Sequence, residues 1–278
     1  MVAAPVLWST AGVVTRHIER ALPFEQVFWR SLFAFLFILI FLRKNPLKAV
    51  RAAGWPGLFS GAMWAVMFTA FVVALSLTTT ANTLVVMSIS PLLTAFLTLL
   101  FLREKISLGT WIAASAAAFG IAWMFHDGVQ AGQAAGMLVA LLVPFAAAAN
   151  VVTLRASAAR VDLVPAVMLG GAFSCLIALP FAFPFSGTSR DLLLLALLGI
   201  FQLGLPCMLL VIASRTLLAP EIALLGLLEV VLGPLWAWLG AGEVPAESTL
   251  LGGLVVLGAL VGNELSMMRL SPASRARP

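Results

Sequence analysis

The sequence predicts an all-α polytopic membrane protein, with ten transmembrane helices arranged as two inverted five-helix repeats and both termini in the cytoplasm. Three observations carry that expectation. Hydrophobic residues make up 62% of the 278 residues and charged residues only 10%. Soluble domains carry about a quarter charged residues, so a water-facing surface cannot be built from this chain. Apolar runs near the length needed to cross about 30 Å of hydrocarbon recur from end to end. Finally, a stripe of small and polar residues in one run returns 139 positions later (Ser90 to Glu229).

Taken in order, the runs lie at about 1–18, 25–42, 55–76, 80–102, 108–125, 132–154, 163–184, 190–212, 219–240 and 248–268. Each is near the roughly 20 residues that cross a bilayer as a helix. The connections are short and carry the Pro, Gly and charged residues, which leaves no stretch for a soluble domain. Alternating ten-residue strands, which a transmembrane barrel needs, are absent. A pI near 10.2 invites a nucleic-acid partner, but the basic residues sit between the apolar runs, where they orient a chain in a bilayer. The expected partners are therefore the lipid bilayer and a small-molecule substrate, with no nucleic acid and a monomer as the unit.

The orientation can be counted. With the N-terminus inside, the cytoplasmic segments hold Arg43, Lys44, Lys48, Arg51, Arg103, Lys105, Arg155, Arg160, Arg215, Arg269, Arg275 and Arg277. The other side holds Arg16, Arg20, Arg30 and Arg190. That asymmetry favours cytoplasmic termini and a multi-pass protein of the cytoplasmic (inner) membrane. The first run begins at once, without a basic n-region or a small-residue cleavage site, so no removable signal peptide is expected. Cys175 and Cys207 each lie inside an apolar run and imply no disulfide framework.

The fourth and ninth runs hold the repeat. Thr83, Met87, Ser90 and Thr94 recur at helical spacing and share one face. Ile222, Gly226, Glu229 and Gly233 occupy the equivalent places, and the stripe continues to Trp236 and Gly240. The same shift brings Pro5 onto Pro144 and Glu104 onto Glu243, whereas Pro91 meets Val230. Five runs per half is an odd number, so the second half enters the bilayer upside down relative to the first. The expected units are residues 1–128 and 129–278. Inverted repeats are a recurring architecture of secondary transporters, with the substrate site near the midplane where the halves meet.

Glu229 is the sharpest single feature, about ten residues into its run and hence near the bilayer centre. A bare carboxylate there costs about 2.5–3.5 kcal/mol on insertion scales. It faces a wet cavity, is paired, or takes up a proton. One reading makes it an anchor for a substrate amine or a proton site. The other makes it a neutral Glu hydrogen-bonded to a neighbouring helix.

The stripe residues Thr83, Ser90 and Thr94 line a cavity or pack helices, since small and hydroxyl residues serve both purposes. Met87 offers a soft, adaptable contact, and Gly226, Gly233 and Gly240 are read as packing residues. Trp29, Trp55, Trp111 and Trp123 fall near run ends, as interfacial anchors do. Trp8, Trp64, Trp236 and Trp238 sit deeper. Trp8 and Trp236 are the choices for a cavity, where an indole face holds a cation or an aromatic ring.

Thr10, Trp64, Asn150, Thr153 and Gln202 complete the candidate substrate-binding set, the last three as buried polar groups that line the cavity or join helices. Arg30, one turn into the second run, is expected to snorkel outward or to pair with Glu25. Asn82 and the threonines at 78–80 are expected to satisfy backbone at helix ends. Ala113, Ala117, Gly120, Gly258 and Gly262 form small-residue faces, read as a static contact between the fifth and tenth runs.

His17 and His126 are the only histidines, and neither has a second ligand at metal spacing. No phosphate-binding Gly-rich loop, paired carboxylates or nucleophile–base pair appears within the runs. No cofactor, metal or catalytic residue is expected, and the chain is read as a non-enzyme. A channel and a lipid flippase stay open at this point, because a polar-striped cavity serves each of them.

Three motifs then carry a resemblance. Leu7-Trp8-Ser9-Thr10, Trp29-Arg30-Ser31-Leu32-Phe33-Ala34, and Ser90-Pro91-Leu92-Leu93 followed by Leu102-Arg103-Glu104 together resemble the drug/metabolite transporter superfamily, specifically its ten-span members with two EamA-type repeats. The resemblance implies alternating-access export of small solutes, with amino-acid exporters among the closer-looking relatives. An exporter of multiple drugs or organic cations is the alternative within the same fold. It also implies that the first, third, fourth, sixth, eighth and ninth helices surround a central cavity. Val230 departs from the pattern, which has a proline after the glutamate, although Pro234 follows one turn on.

Overall fold

In hydrocarbon every backbone N–H and C=O needs an internal partner, so long apolar runs fold as helices. The computed structural model describes residues 2–42, 45–102, 107–130, 132–157, 161–213 and 219–270. Among these, all regular structure is helical. The elements are α1 (Ala3–Ser9), α2 (Ala11–Thr15), α3 (Pro23–Leu42), α4 (Pro46–Leu77), α5 (Thr80–Met87), α6 (Ser90–Leu102), α7 (Leu108–Gln130), α8 (Ala134–Ser157) and α9 (Val164–Ala182). They continue with α10 (Ser189–Leu197), a π-helical turn over Leu198–Gly204, α11 (Leu205–Ala213), α12 (Ala219–Ala241) and α13 (Glu247–Leu270).

Six segments are long and apolar enough to cross a membrane: Pro23–Leu42, Pro46–Leu77, Thr80–Phe101, Ala134–Ser157, Val164–Ala182 and Ser189–Ala213. Four shorter apolar helices accompany them, Ala3–Thr15, Leu108–Met124, Leu228–Ala241 and Glu247–Asn263. Of the residues used to orient the chain, Arg43, Lys44, Arg103, Lys105, Arg160, Arg215, Arg275 and Arg277 lie outside the described residues, as does Glu104; the side chains of Arg269 and Ile222 do too.

Three of the membrane helices are interrupted, each for a local reason. Between α1 and α2 the Ser9 and Thr10 hydroxyls bond back to the Val6 and Leu7 carbonyls, both at 2.7 Å. Between α5 and α6, Pro91 has no N–H for the Met87 carbonyl one turn back, and the Ser88 hydroxyl bonds the Val85 carbonyl at 2.6 Å instead. In the eighth span the π turn contains Gly199 and Gly204 and is followed by Pro206. A Cβ on Gly199 would stand 2.5 Å from the Arg30 carbonyl, and one on Gly204 2.9 Å from the Phe37 ring. Only glycine lets this turn lie so close against α3. Gly54, at φ +55°, breaks the start of α4, so the third span proper begins at Trp55.

Packing runs across the two halves. α9 lies against both α3 and α4, and α8 against α4, with a buried core of Trp64, Phe68, Val167, Met168 and Cys207 among its members. Gly61 and Gly170 allow the α4–α9 crossing, facing Leu169 and Trp64. Two buried polar links lie in the same region. Ser174 bonds Ser31 and Thr69 at 3.0 Å each, and Ser60 donates to Asn150 Oδ1 at 2.6 Å.

The expected α7–α13 contact forms, with Ala113 and Ala117 buried and Gly120 against the Gly252 carbonyl at 2.8 Å to its virtual Cβ. Its other side differs from expectation: Gly252 and Val256 make it, while Gly258 and Gly262 face open space. α13 therefore meets α7 with the face of Gly252 and Val256, about 120° around the helix from that of Gly258 and Gly262.

Five connections meet at one end of the bundle and are laced together. Arg16 donates to Glu243 at 2.8 Å and to the Thr78 carbonyl at 3.0 Å. Glu243 in turn accepts from the Thr80 backbone and hydroxyl. Asn82 bonds Thr78 and Gln133, and accepts from Thr249 at 2.6 Å. The Asp191 carboxylate takes the N–H groups of Glu19, Arg20, Ala21 and Thr188. Glu25 takes those of Ser186 and Gly187 and the Ser186 hydroxyl. A carboxylate surrounded by N–H donors is satisfied without a cation.

Candidate functional site

Halfway along the helices the polar groups behave differently. Arg30, on the eighth residue of α3, is only 4% exposed. The expectation that it snorkels or pairs with Glu25 is overturned. Glu25 is occupied by Ser186 and Gly187, while the arginine turns inward over the Phe71 ring, 5.3 Å from its centroid. Its Nε has no hydrogen-bond partner among the described residues. Trp29 and Phe185, whose rings pack 5.2 Å apart, lie at the same end of α3 as Glu25.

Glu229, from α12, faces the same region. The charges of Arg30 and Glu229 act on each other, and both act on Cys207 of α11. Yet no ion pair of 4 Å or less joins them among the described residues. Glu229 is half-buried, and no described residue donates to it. Gly226, one turn before it, has nothing near where a Cβ would stand. Among the described residues, then, no packing partner stands against Gly226. Gly233 and Gly240 do pack, against Leu84 of α5 and Val13 of α2.

The remaining candidates divide by what they touch. Trp8 lies beside the Cys207 thiol, and its carbonyl accepts from Gln202 Nε2 at 3.3 Å. Gln202 sits in the π turn, 4% exposed, with its Oε1 unpartnered among the described residues. Trp236 donates to the Ser9 hydroxyl at 3.1 Å and is 37% exposed. Trp64 is 1% exposed in the packed core, its ring tilted against Phe68 at 5.5 Å, with its indole N–H unpartnered among the described residues.

Thr10, Thr83, Thr94 and Thr153 each bond a backbone carbonyl three or four residues back. Those hydroxyls are locally satisfied by back-bonding, which tends to bend a helix. Met87 is half-buried against the cluster of Leu84 and Phe71, Ser90 opens α6, and Asn150 is tied to Ser60. The structure thus gathers Trp8, Gln202 and Glu229 around Arg30 and Cys207, and leaves Asn150, Thr153 and Trp64 among helix contacts.

Arg30 and Cys207 were not among the candidates. Spacing within a single span gives no sign of them, because what joins them is the approach of α3 to the glycine-bearing π turn. The one sequence signal was Arg30 itself, since an intramembrane ionisable residue is a functional hypothesis by default.

A cavity of about 600 Å³ lies elsewhere, between α6 and α7. Ile89, Leu92, Phe96, Trp111, Ala114 and Ile121 line it, and Phe96 and Trp111 on its rim are about half exposed. It holds none of the candidate residues. Its walls carry no charge, so it has nothing to orient a polar solute.

A crystal structure of another protein superposes over 97% of this chain and 96% of its own, with a TM-score of 0.67 at 20% identity. At that identity the likeness speaks to the fold. No curated protein sequence matches the chain. The family model described as the EamA-like transporter family matches twice, over residues 1–126 and 134–263. Within the drug/metabolite transporter superfamily, this membrane protein belongs to the EamA-like transporter family.

Proposed function

We propose that this transporter exports small amphiphilic metabolites, amino acids foremost, by alternating access through a chamber at the level of Glu229. The single observation that carries the reading is the half-buried Glu229 carboxylate, which lies at the level of Arg30 and Cys207 and which no described residue bonds. A carboxylate held without a partner in a low-dielectric site is stabilised by a ligand ammonium far more than one in water. Trp8 and Trp236 supply aromatic surface at the first and ninth helices for the apolar part of the solute.

The six long and four shorter apolar helices make ten spans, with both termini on the cytoplasmic side of the inner membrane and the second five-helix unit inverted. The meeting of five alternate connections at one end supports that count. The laced end is the outer one. In this state it is shut by Arg16, Glu243 and Thr80, and export proceeds by rocking the two halves until those bonds part.

Counterflow in reconstituted vesicles tests the reading. Vesicles loaded with unlabelled amino acids are expected to accumulate labelled amino acid transiently, with saturation. A channel would show neither. Quaternary amines in the same panel weigh the organic-cation alternative, and their exchange in place of amino acids would replace this reading.

A further inference from the structure

The geometry points to Arg30 as the partner of a substrate carboxylate, so that Arg30 and Glu229 together form a site for a zwitterion. This rests on the reading of Glu229 as the ammonium anchor.

A guanidinium at membrane depth is normally matched by an anion within hydrogen-bond distance. Arg30 is not. It is 4% exposed, its Nε has no partner among the described residues, and no ion pair is formed with Glu229 or any other described carboxylate. Phe71 covers one face of the group, which leaves the N–H edge as the side through which it can bind. That edge is a planar fork matched to a carboxylate. Glu229 stands within electrostatic reach from α12, too far for a direct ion pair among the described residues.

Charge balance then selects the ligand class. In the empty site the two residues offset each other. A bare cation bound to Glu229 would leave Arg30 uncompensated in a low-dielectric region, and a bare anion bound to Arg30 would leave Glu229 so. A molecule carrying an ammonium and a carboxylate pairs with both and changes the net charge of neither the site nor the step. Gln202, with an unpartnered Oε1, is a further acceptor for the ammonium end.

The test uses the full chain in vesicles. Each of the twenty common L-amino acids is offered in counterflow beside its methyl ester, which keeps the amine and the side chain but removes the anion. Every amino acid that exchanges is expected to outcompete its ester by at least about tenfold, the loss that follows removal of one charge-assisted hydrogen bond. Arg30→Met is expected to lose that exchange, and Arg30→Lys to keep part of it.

Esters that compete as well as the acids overturn the inference in the wild-type protein alone, whatever the variants do. Amino-acid exchange by Arg30→Met at the wild-type rate overturns it too. In both cases the reading of the chain as an amino-acid exporter stands. Failure of every amino acid to exchange in the wild type removes that reading and this inference together.

Discussion

The laced end of the bundle and its middle carry similar polar residues, yet the two regions treat them in opposite ways. At the laced end Asp191 accepts four backbone N–H groups and Glu25 two more plus a hydroxyl. Glu243 is bound by Arg16 and Thr80. In the middle Arg30 Nε, Gln202 Oε1 and the Glu229 carboxylate have no partner among the described residues. A satisfied carboxylate holds a structure in one form. An unsatisfied one in a dry setting stores binding capacity for something that arrives later. On the proposed function, the laced end serves closure and the middle recognition.

Four perturbations break or sharpen that contrast, in descending size. Asp191→Ala strips the common acceptor from the 19–21 loop and the start of α10 and is expected to destabilise by about 3 kcal/mol or more. Thermal unfolding in detergent measures it, and counterflow at low temperature should survive. Gly199→Ala places a methyl group 2.5 Å from the Arg30 carbonyl. The backbone must yield, at about 2–3 kcal/mol, and exchange should fall along with stability because Arg30 moves.

Glu243→Gln weakens the Arg16 and Thr80 bonds by about 1–1.5 kcal/mol. Opening at the outer end should become about tenfold more frequent, read as faster labelling of Thr83→Cys by a membrane-impermeant maleimide. Ser174→Ala, which removes the hydroxyl shared by Ser31 and Thr69, should lower stability by only about 1 kcal/mol, with transport kinetics unchanged.

Much of the helical layout was legible from hydropathy, because crossing a bilayer demands a run of fixed length; among the described residues six segments reach that length and four shorter apolar helices accompany them. The observed starts at Pro23, Thr80, Ala134 and Val164 lie within a few residues of the expected ones. Helix-end roles were legible as well, since Thr79 accepts from the Asn82 N–H at 3.1 Å as a cap does.

What stayed hidden depended on neighbours far along the chain. Nothing in the second run says that Arg30 turns inward; that follows from Glu25 being claimed by a loop some 160 residues on. The Ser31–Ser174–Thr69 link is three ordinary hydroxyls until α3, α4 and α9 meet. Gly226 and Gly233 look alike in the sequence and share one face of α12 two turns apart, and only the packing at their different levels places Leu84 beside Gly233 and no described atom beside Gly226. The π turn is equally silent locally, since Gly199, Gly204 and Pro206 declare a weak helix but not its insertion against α3.

The central claim is that the unpartnered carboxylate of Glu229 is where the solute is held. Its most direct test is amino-acid counterflow by Glu229→Gln beside the wild type, with and without a pH gradient. The substitution keeps shape and removes charge, so the protein should remain folded and as stable as before while exchange falls at least about tenfold under both conditions. Exchange by Glu229→Gln at the wild-type rate, with the gradient and without it, would contradict the claim.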